Sequence, residues 1–375
     1  MAGLSLSPSA YVVTALLAAL VAALVTALLP RWDRRGLLAP RLAQGTRLLP
    51  RVGGPALLVA LVLAPVLISL TSRELADALQ SHRRELTGLL IAATLIVALG
   101  ILDDRQELSF KAKFLGQAVA AAVLFIFDYR LDRIAFPWGP ALDLGPFSPV
   151  VTLLWLVFIT NAVNLIDGKD GVAAGVCILA GAALAVVADN SGQLWVAGAL
   201  LAITGGAAGF LPFNWPPATR LLGDSGALLL GLMLAALAIK GAKGPEGAVF
   251  ISIPAIALGF PVADTVLAFT RRILDQRNPF RGDLDHIHHR LEQSLGLGPW
   301  GILMPLYALS ALFAGAALAL HFIENDGAET LVLVAFLFVV CFSLYRLGYA
   351  RSLWESSLLR SLRGRRERLE APQQD

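Results

Sequence analysis

A series of eleven apolar runs separated by short polar segments restricts this chain more than any other feature: residues 9–30, 54–71, 86–102, 111–128, 147–165, 171–188, 194–211, 225–240, 248–270, 299–321 and 329–348. A helix rises about 1.5 Å per residue, so about 20 apolar residues cross the roughly 30 Å of hydrocarbon in a bilayer. Composition agrees, with 57% hydrophobic and only 15% charged residues, where a soluble domain carries about 25% charged. The expected fold is an all-α, polytopic integral membrane protein with about 11 transmembrane helices. The first run lacks a basic leader and a small-residue cleavage site, so it is expected to remain as the first span. Cys177 and Cys341 both lie inside apolar runs, which argues against a disulfide framework.

An odd number of spans puts the termini on opposite sides, and positive charge chooses between the sides. One face collects Arg31, Arg34, Arg35, Arg41, Arg47 and Arg51, then Arg105, Lys111, Lys113, Lys169, Arg220, the Arg271 to Arg290 loop and the arginines after residue 350. The other face holds Arg73, Arg83, Arg84, Arg130, Arg133, Lys240 and Lys243. Basic residues accumulate in the cytoplasm, so the N-terminus is expected outside and the C-terminus inside. Residues 1–350 then form a single transmembrane domain and 351–375 a basic cytoplasmic tail, with an amphipathic segment suited to an anionic leaflet. On the outer side, Arg73 to Glu85 reads as a solvated mixed-charge segment. The 129–147 loop reads as a small hairpin or interfacial turn carrying Trp138.

Polar groups at membrane depth are rare and mark functional sites. Between two apolar runs the chain places Asn161-Ala-Val-Asn-Leu-Ile-Asp-Gly-Lys-Asp-Gly171, with Asn161, Asn164, Asp167, Lys169 and Asp170. Four more clusters fall on the same face under the expected alternation. They are Pro50-Arg-Val-Gly-Gly54; Gly100-Ile-Leu-Asp-Asp104 with Lys113 and Gln117 after it; Asn214 to Gly226, including Leu221 and Asp224; and Pro279 to His289, including Arg281, His286, His288 and His289. Each has a plainer reading. The Asn161 stretch could be a turn, Gly223-Asp-Ser-Gly226 an N-cap, and the histidines a zinc site, although phosphate grip suits them better beside so many arginines. The adjacent carboxylates Asp103 and Asp104 repel each other unless a cation sits nearby.

Convergence on one face is what an active site there requires. Carboxylates, a divalent cation, basic side chains and glycines suit a diphosphate, and Mg²⁺ prefers a few carboxylates plus phosphate oxygens. The membrane setting makes the second substrate a lipid. Phosphoryl transfer from a soluble nucleotide-linked donor to a lipid phosphate follows. A transporter or lipid flippase, the main alternative, needs polar residues through the midplane or on both faces. A metal-dependent intramembrane protease lacks its His-Glu-x-x-His helix here. A nucleic-acid partner is not expected.

These motifs together resemble the polyprenyl-phosphate N-acetylhexosamine-1-phosphate transferases. The match runs from Pro-x-x-Gly-Gly through Gly-x-x-Asp-Asp, Asn-x-x-Asn-x-x-Asp-Gly-x-Asp-Gly and the Asn214 to Gly226 segment to His-Ile-His-His, residues 50 to 289 in the family's order. The last motif and the number of runs resemble the bacterial undecaprenyl-phosphate N-acetylglucosamine-1-phosphate branch. The resemblance implies an enzyme of the bacterial inner membrane with its site facing the cytoplasm. It would use Mg²⁺, or Mn²⁺ in its place, to move a sugar phosphate, GlcNAc-1-phosphate foremost, from a UDP-sugar to undecaprenyl phosphate. UMP leaves, in the first membrane step of cell-wall or lipopolysaccharide synthesis, and a homodimer stays open. It further implies Asp224 as the metal ligand and Asp103 and Asp104 as catalytic groups beside the lipid phosphate. Arg51, Lys113, Asn161, Asn164, Asp167, Lys169, Asp170, Leu221, Arg281, His286, His288 and His289 would bind substrate. Three positions depart from the family pattern. Lys169 replaces an apolar residue, Leu221 an aromatic that contacts the uracil in relatives, and Ala227 a serine. Sequence alone leaves a two-step route through an aspartyl phosphate open.

Overall fold

A computed structural model describes residues 8–32, 49–70, 73–135, 140–244, 247–274, 298–323 and part of 330–342. The helices are α1 (Pro8–Trp32), α2 (Gly53–Ser69), α3 (Arg73–Ser81), α4 (Arg83–Gln106), α5 (Phe110–Ile126), α6 (Ser148–Ile166), α7 (Val172–Asn190), α8 (Leu194–Asn214), α9 (Gly223–Gly241), α10 (Ser252–Ala257), α11 (Gly259–Leu274) and α12 (Pro299–Phe322). Among the described residues, seven helices are long and apolar enough to cross a membrane: Ala10–Arg31, Arg83–Gln106, Gly145–Ile166, Val172–Asn190, Leu194–Asn214, Gly223–Gly241 and Pro299–Phe322. Gly53–Ser69 is a shorter apolar helix. The last apolar run falls largely outside the described residues. So do the tail and the segment with Arg281, His286, His288 and His289.

Two stretches differ from their expected form. The run 248–270 is not one helix: it opens with strand β3 (Val249–Phe250), turns through α10 and restarts as α11. Pro261 has no N–H to donate to the carbonyl of Ala257, where α10 ends. The ring of Phe313 also fills the place a side chain at Gly259 would take. The mixed-charge stretch after α2 coils into α3 and the first turn of α4 instead of a loop. The 129–147 segment does contain a hairpin, β1 (Arg133–Ala135) antiparallel to β2 (Leu142–Asp143), with Arg133 opposite Asp143. β3 adds to it in parallel, Ile134 opposite Val249.

The bundle is built around α9, in which every residue from Ser225 to Gly241 is buried. It packs against α2, α4, α6, α7 and α8. Small residues make this crowding feasible, since a Cβ at Gly231 would strike the backbone of Thr160 in α6. Around the centre, Gly205 and Gly209 of α8 lie four apart against the backbones of Ala15 and Ala19 in α1, the small-residue spacing that lets membrane helices approach closely. At the C-terminal end of α9, Lys240 is tied to Asp128 at 2.6 Å. The N-terminal end of the same helix carries the chemistry.

Candidate active site at the head of the central helix

The first N–H groups of a helix have no partner inside it, and its dipole leaves that end partly positive. In α9 those donors are met by a carboxylate from another helix: Asp104 Oδ1 accepts from Asp224 N at 2.9 Å and Asp104 Oδ2 from Ser225 N at 3.3 Å. This explains the Gly-x-x-Asp-Asp motif. A side chain at Gly100 would overlap the Ser225 backbone, so only glycine lets α4 lie close enough for Asp104, one turn later, to reach α9. Arg51 completes the cap, with Nη1 2.9 Å from Asp104 Oδ1 and donating to the Asp104 carbonyl at 3.1 Å. Arg51 is held there because Leu221 N donates to Pro50 O at 3.0 Å and Val52 N to Leu221 O at 3.2 Å. Gly53 and Gly54 then bring α2 against Leu222 and Ser225 without a Cβ in between.

The neighbouring carboxylate behaves differently. Asp103 is buried, accepts from Leu108 N at 2.8 Å and is ion-paired to Lys113 on α5. The same Lys113 amine lies 3.5 Å from Asp224 Oδ1, which also accepts from Asn164 Nδ2 at 2.6 Å. Asn161, one turn earlier on α6, exchanges amide hydrogen bonds with Gln117 of α5 and fixes those two helices to each other.

Between these helix ends lies a cavity of about 290 Å³, lined among others by Arg51, Asp104, Asp167, Lys169, Leu221 and Asp224. Two of its walls are loops clamped by side chains. Asp170 Oδ2 accepts from Ala218 N at 2.9 Å, and Asn214 Oδ1 from Gly171 N at 3.0 Å. Tyr307 of α12 donates to the Gly171 carbonyl at 2.7 Å. Gly171 has φ +78°, a left-handed conformation that glycine adopts without strain. Asp167 is the exception in this well-paired set: among the described residues no hydrogen bond or ion pair reaches its carboxylate. Burial, then the charges of Asp224 and Asp104, hold its carboxyl well above the ordinary carboxylate range.

This donor set fits a divalent cation shared with a ligand. Four acidic side chains (Asp104, Asp167, Asp170, Asp224) and two cationic ones (Arg51, Lys169) line the cavity, with the Asp103–Lys113 pair behind Asp224, so the lining is richer in acidic than in basic groups. The described residues contain no group of three or more Asp, Glu, His or Cys close enough to form a cage. Mg²⁺ commonly binds through one or two carboxylates completed by phosphate oxygens and water.

The model of Glycosyl transferase family 4 matches residues 86–242, the stretch from α4 to the end of α9. The "Probable undecaprenyl-phosphate N-acetylglucosaminyl 1-phosphate transferase" of Bacillus subtilis (strain 168) is 34% identical over 275 residues, 73% of this chain and 74% of that protein. The "Decaprenyl-phosphate N-acetylglucosaminephosphotransferase" of Mycobacterium leprae (strain TN) is 33% identical over 310 residues, 75% of this chain and 76% of that one. The chain belongs to the polyprenyl-phosphate N-acetylhexosamine-1-phosphate transferases. A "Phospho-N-acetylmuramoyl-pentapeptide-transferase" of Listeria monocytogenes is 39% identical over 204 residues, 51% of this chain.

This sugar-phosphate transferase therefore gathers most of its sequence-derived site residues at one end of the bundle. Arg51, Asp104, Asp167, Lys169, Asp170, Leu221 and Asp224 line the cavity. Asp103, Lys113 and Asn164 stand directly behind Asp224. Among the described residues that line the cavity Asn161 does not appear; it braces α5 against α6. Arg281 and the three histidines fall outside the described residues. Sequence reasoning missed Tyr307, which sits in an apolar run with no motif around it. Its one signal was a phenol at membrane depth, where a hydroxyl normally needs a partner.

Proposed function

We propose that the transferase moves N-acetylhexosamine-1-phosphate, GlcNAc-1-phosphate foremost, from a UDP-sugar to undecaprenyl phosphate and releases UMP. The observation that carries this reading is the cavity at the head of α9. There Asp167 and Asp224 expose carboxylates beside Arg51 and Lys169, at the end of helices long enough to cross a membrane. Asp224 and Asp167 would hold Mg²⁺, or Mn²⁺ in its place; when bound, the ion supplies positive charge to the donor diphosphate. Arg51 and Lys169 add positive charge beside them in the lining, and Lys113 would serve the lipid phosphate. A phosphate monoester has its second pKa near ~6, so the acceptor is largely ionised at neutral pH and needs positioning more than proton removal.

The hydrogen-bond pattern supports a single displacement. Both oxygens of Asp104 are engaged by the head of α9, and one also by Arg51. Asp103 is buried against Leu108 N and Lys113. Neither is free to become an aspartyl phosphate, and with Asp224 and Asp167 given to the metal the reading has the lipid phosphate itself attack the sugar-linked phosphorus, with UMP leaving. Asp104 acts by holding the helix terminus and Arg51 in place.

In this reading the site faces the cytoplasm of a bacterial inner membrane, with eleven spans, the N-terminus outside and the C-terminus inside. The charge distribution between the loops supports it. A panel of UDP-N-acetylhexosamines, including UDP-GlcNAc and UDP-N-acetylmuramoyl-pentapeptide, offered with undecaprenyl phosphate and Mg²⁺, tests the reaction by UMP release. UDP-GlcNAc is expected to react fastest; no UMP from any donor would sink the reading.

A further inference from the structure

Lys113 is placed between two carboxylates of unequal freedom. Asp103 is 4% exposed in its side chain, ion-paired to Lys113 and fixed by Leu108 N at 2.8 Å. Asp224 is 28% exposed, lines the cavity and meets the same amine at 3.5 Å. The same Oδ1 accepts from the neutral amide of Asn164, and the Asp224 carboxyl also meets that of Asp103. The ammonium group is thus the cation nearest Oδ1 of Asp224 among the ion pairs of the described residues, while its closer hold is on Asp103, a residue outside the cavity lining.

Resting on the metal reading given above, we propose that Lys113 is a stand-in cation for Asp224. It neutralises that carboxylate in the metal-free protein, and when a divalent ion binds it is released from Asp224 while leashed to Asp103. Its charge is then free for the phosphate of the acceptor lipid. Two consequences follow. Lys113 competes with the ion for Asp224, so metal alone binds more weakly than the carboxylates would allow. Metal and lipid phosphate also help each other bind, each by the same factor, because such coupling is reciprocal.

Mn²⁺ binding to the detergent-solubilised full chain, read from loss of the free-ion EPR signal, tests this without turnover. Lys113→Gln and Lys113→Met are two uncharged variants, of which Gln keeps a donor towards Asp103. Both are expected to bind Mn²⁺ about tenfold more tightly than wild type, a discounted share of the Coulomb energy at this separation. Lys113→Arg should bind like wild type. Lys111→Gln, an exposed lysine on the same helix, controls for net charge and should change affinity less than about twofold. Added Mn²⁺ should raise the affinity for farnesyl phosphate in wild type but not in Lys113→Gln. Equal or weaker Mn²⁺ binding in the uncharged variants, or equal tightening by Lys111→Gln, overturns the hand-over alone. If wild type binds no Mn²⁺, the metal reading itself falls.

Discussion

Two adjacent or nearby aspartates of one type can do opposite things, and the difference lies in what reaches their oxygens. Asp104 receives two backbone N–H groups and a guanidinium, so its oxygens hold the head of α9 and Arg51 together. Asp104→Ala should cost about 2 kcal/mol, from the lost helix cap and from Arg51 left without its partner. It should also lower kcat by about a hundredfold through misplacement of Asp224. Chemical denaturation and initial rates on the same preparation check both parts. Among the described residues Asp167 receives no hydrogen bond or ion pair at its carboxylate, and it is held well above the ordinary carboxylate range by burial and by Asp224 and Asp104. A carboxyl raised on folding stabilises fully below its unfolded pKa, about 3.9, and loses that contribution as pH rises through the folded value. Metal-free wild type and Asp167→Asn should therefore melt alike near pH ~4. The variant should melt progressively higher as pH rises, and Mg²⁺ should narrow the gap. Wild type more stable than Asp167→Asn at alkaline pH without metal would contradict this.

At the scale of elements, glycines set how close α2, α4 and α9 come. Gly100→Ala places a methyl group into the Ser225 backbone and must push α4 from α9. The expected loss is about 1–3 kcal/mol of stability and about a hundredfold in activity, with little change in KM for the donor; thermal melts and kcat read the two separately. Much of this was legible in the sequence. Polar motifs at helix ends marked Arg51, Asp103, Asp104, Asp167 and Asp224, because ionisable groups beside apolar runs are costly unless used. Direction of contact was not legible. Nothing in Gly223-Asp-Ser-Gly226 says that its cap comes from Asp104, because that depends on helix packing across about 120 residues of chain. The break before Gly259 was also missed, since apolar composition concealed Pro261 acting on Ala257. The family resemblance implies a pocket role for Asn161, and no feature of its own motif tells that its amide pairs across to α5. The partner that draws it away, Gln117, sits on another helix.

For the whole molecule, the two ends of α9 have separate duties. Lys240 at the far end ties the bundle to Asp128 at 2.6 Å, and Asp128 is about half exposed. Lys240→Met should therefore cost only about 1 kcal/mol and leave transfer within about twofold of wild type, as a melt and a rate assay would show. The proposed orientation predicts that Thr219→Cys, near the cavity, resists an impermeant thiol reagent in intact cells, while Asp143→Cys on the hairpin is labelled; the reverse pattern would invert the topology. The central claim is that the head of α9 is the transfer site, and Asp224 tests it most directly. Purified wild type with Mg²⁺, undecaprenyl phosphate and UDP-GlcNAc should release UMP in step with formation of the lipid-linked sugar. Asp224→Asn should keep a wild-type thermal transition and release essentially no UMP, whereas release at the wild-type rate would contradict the account.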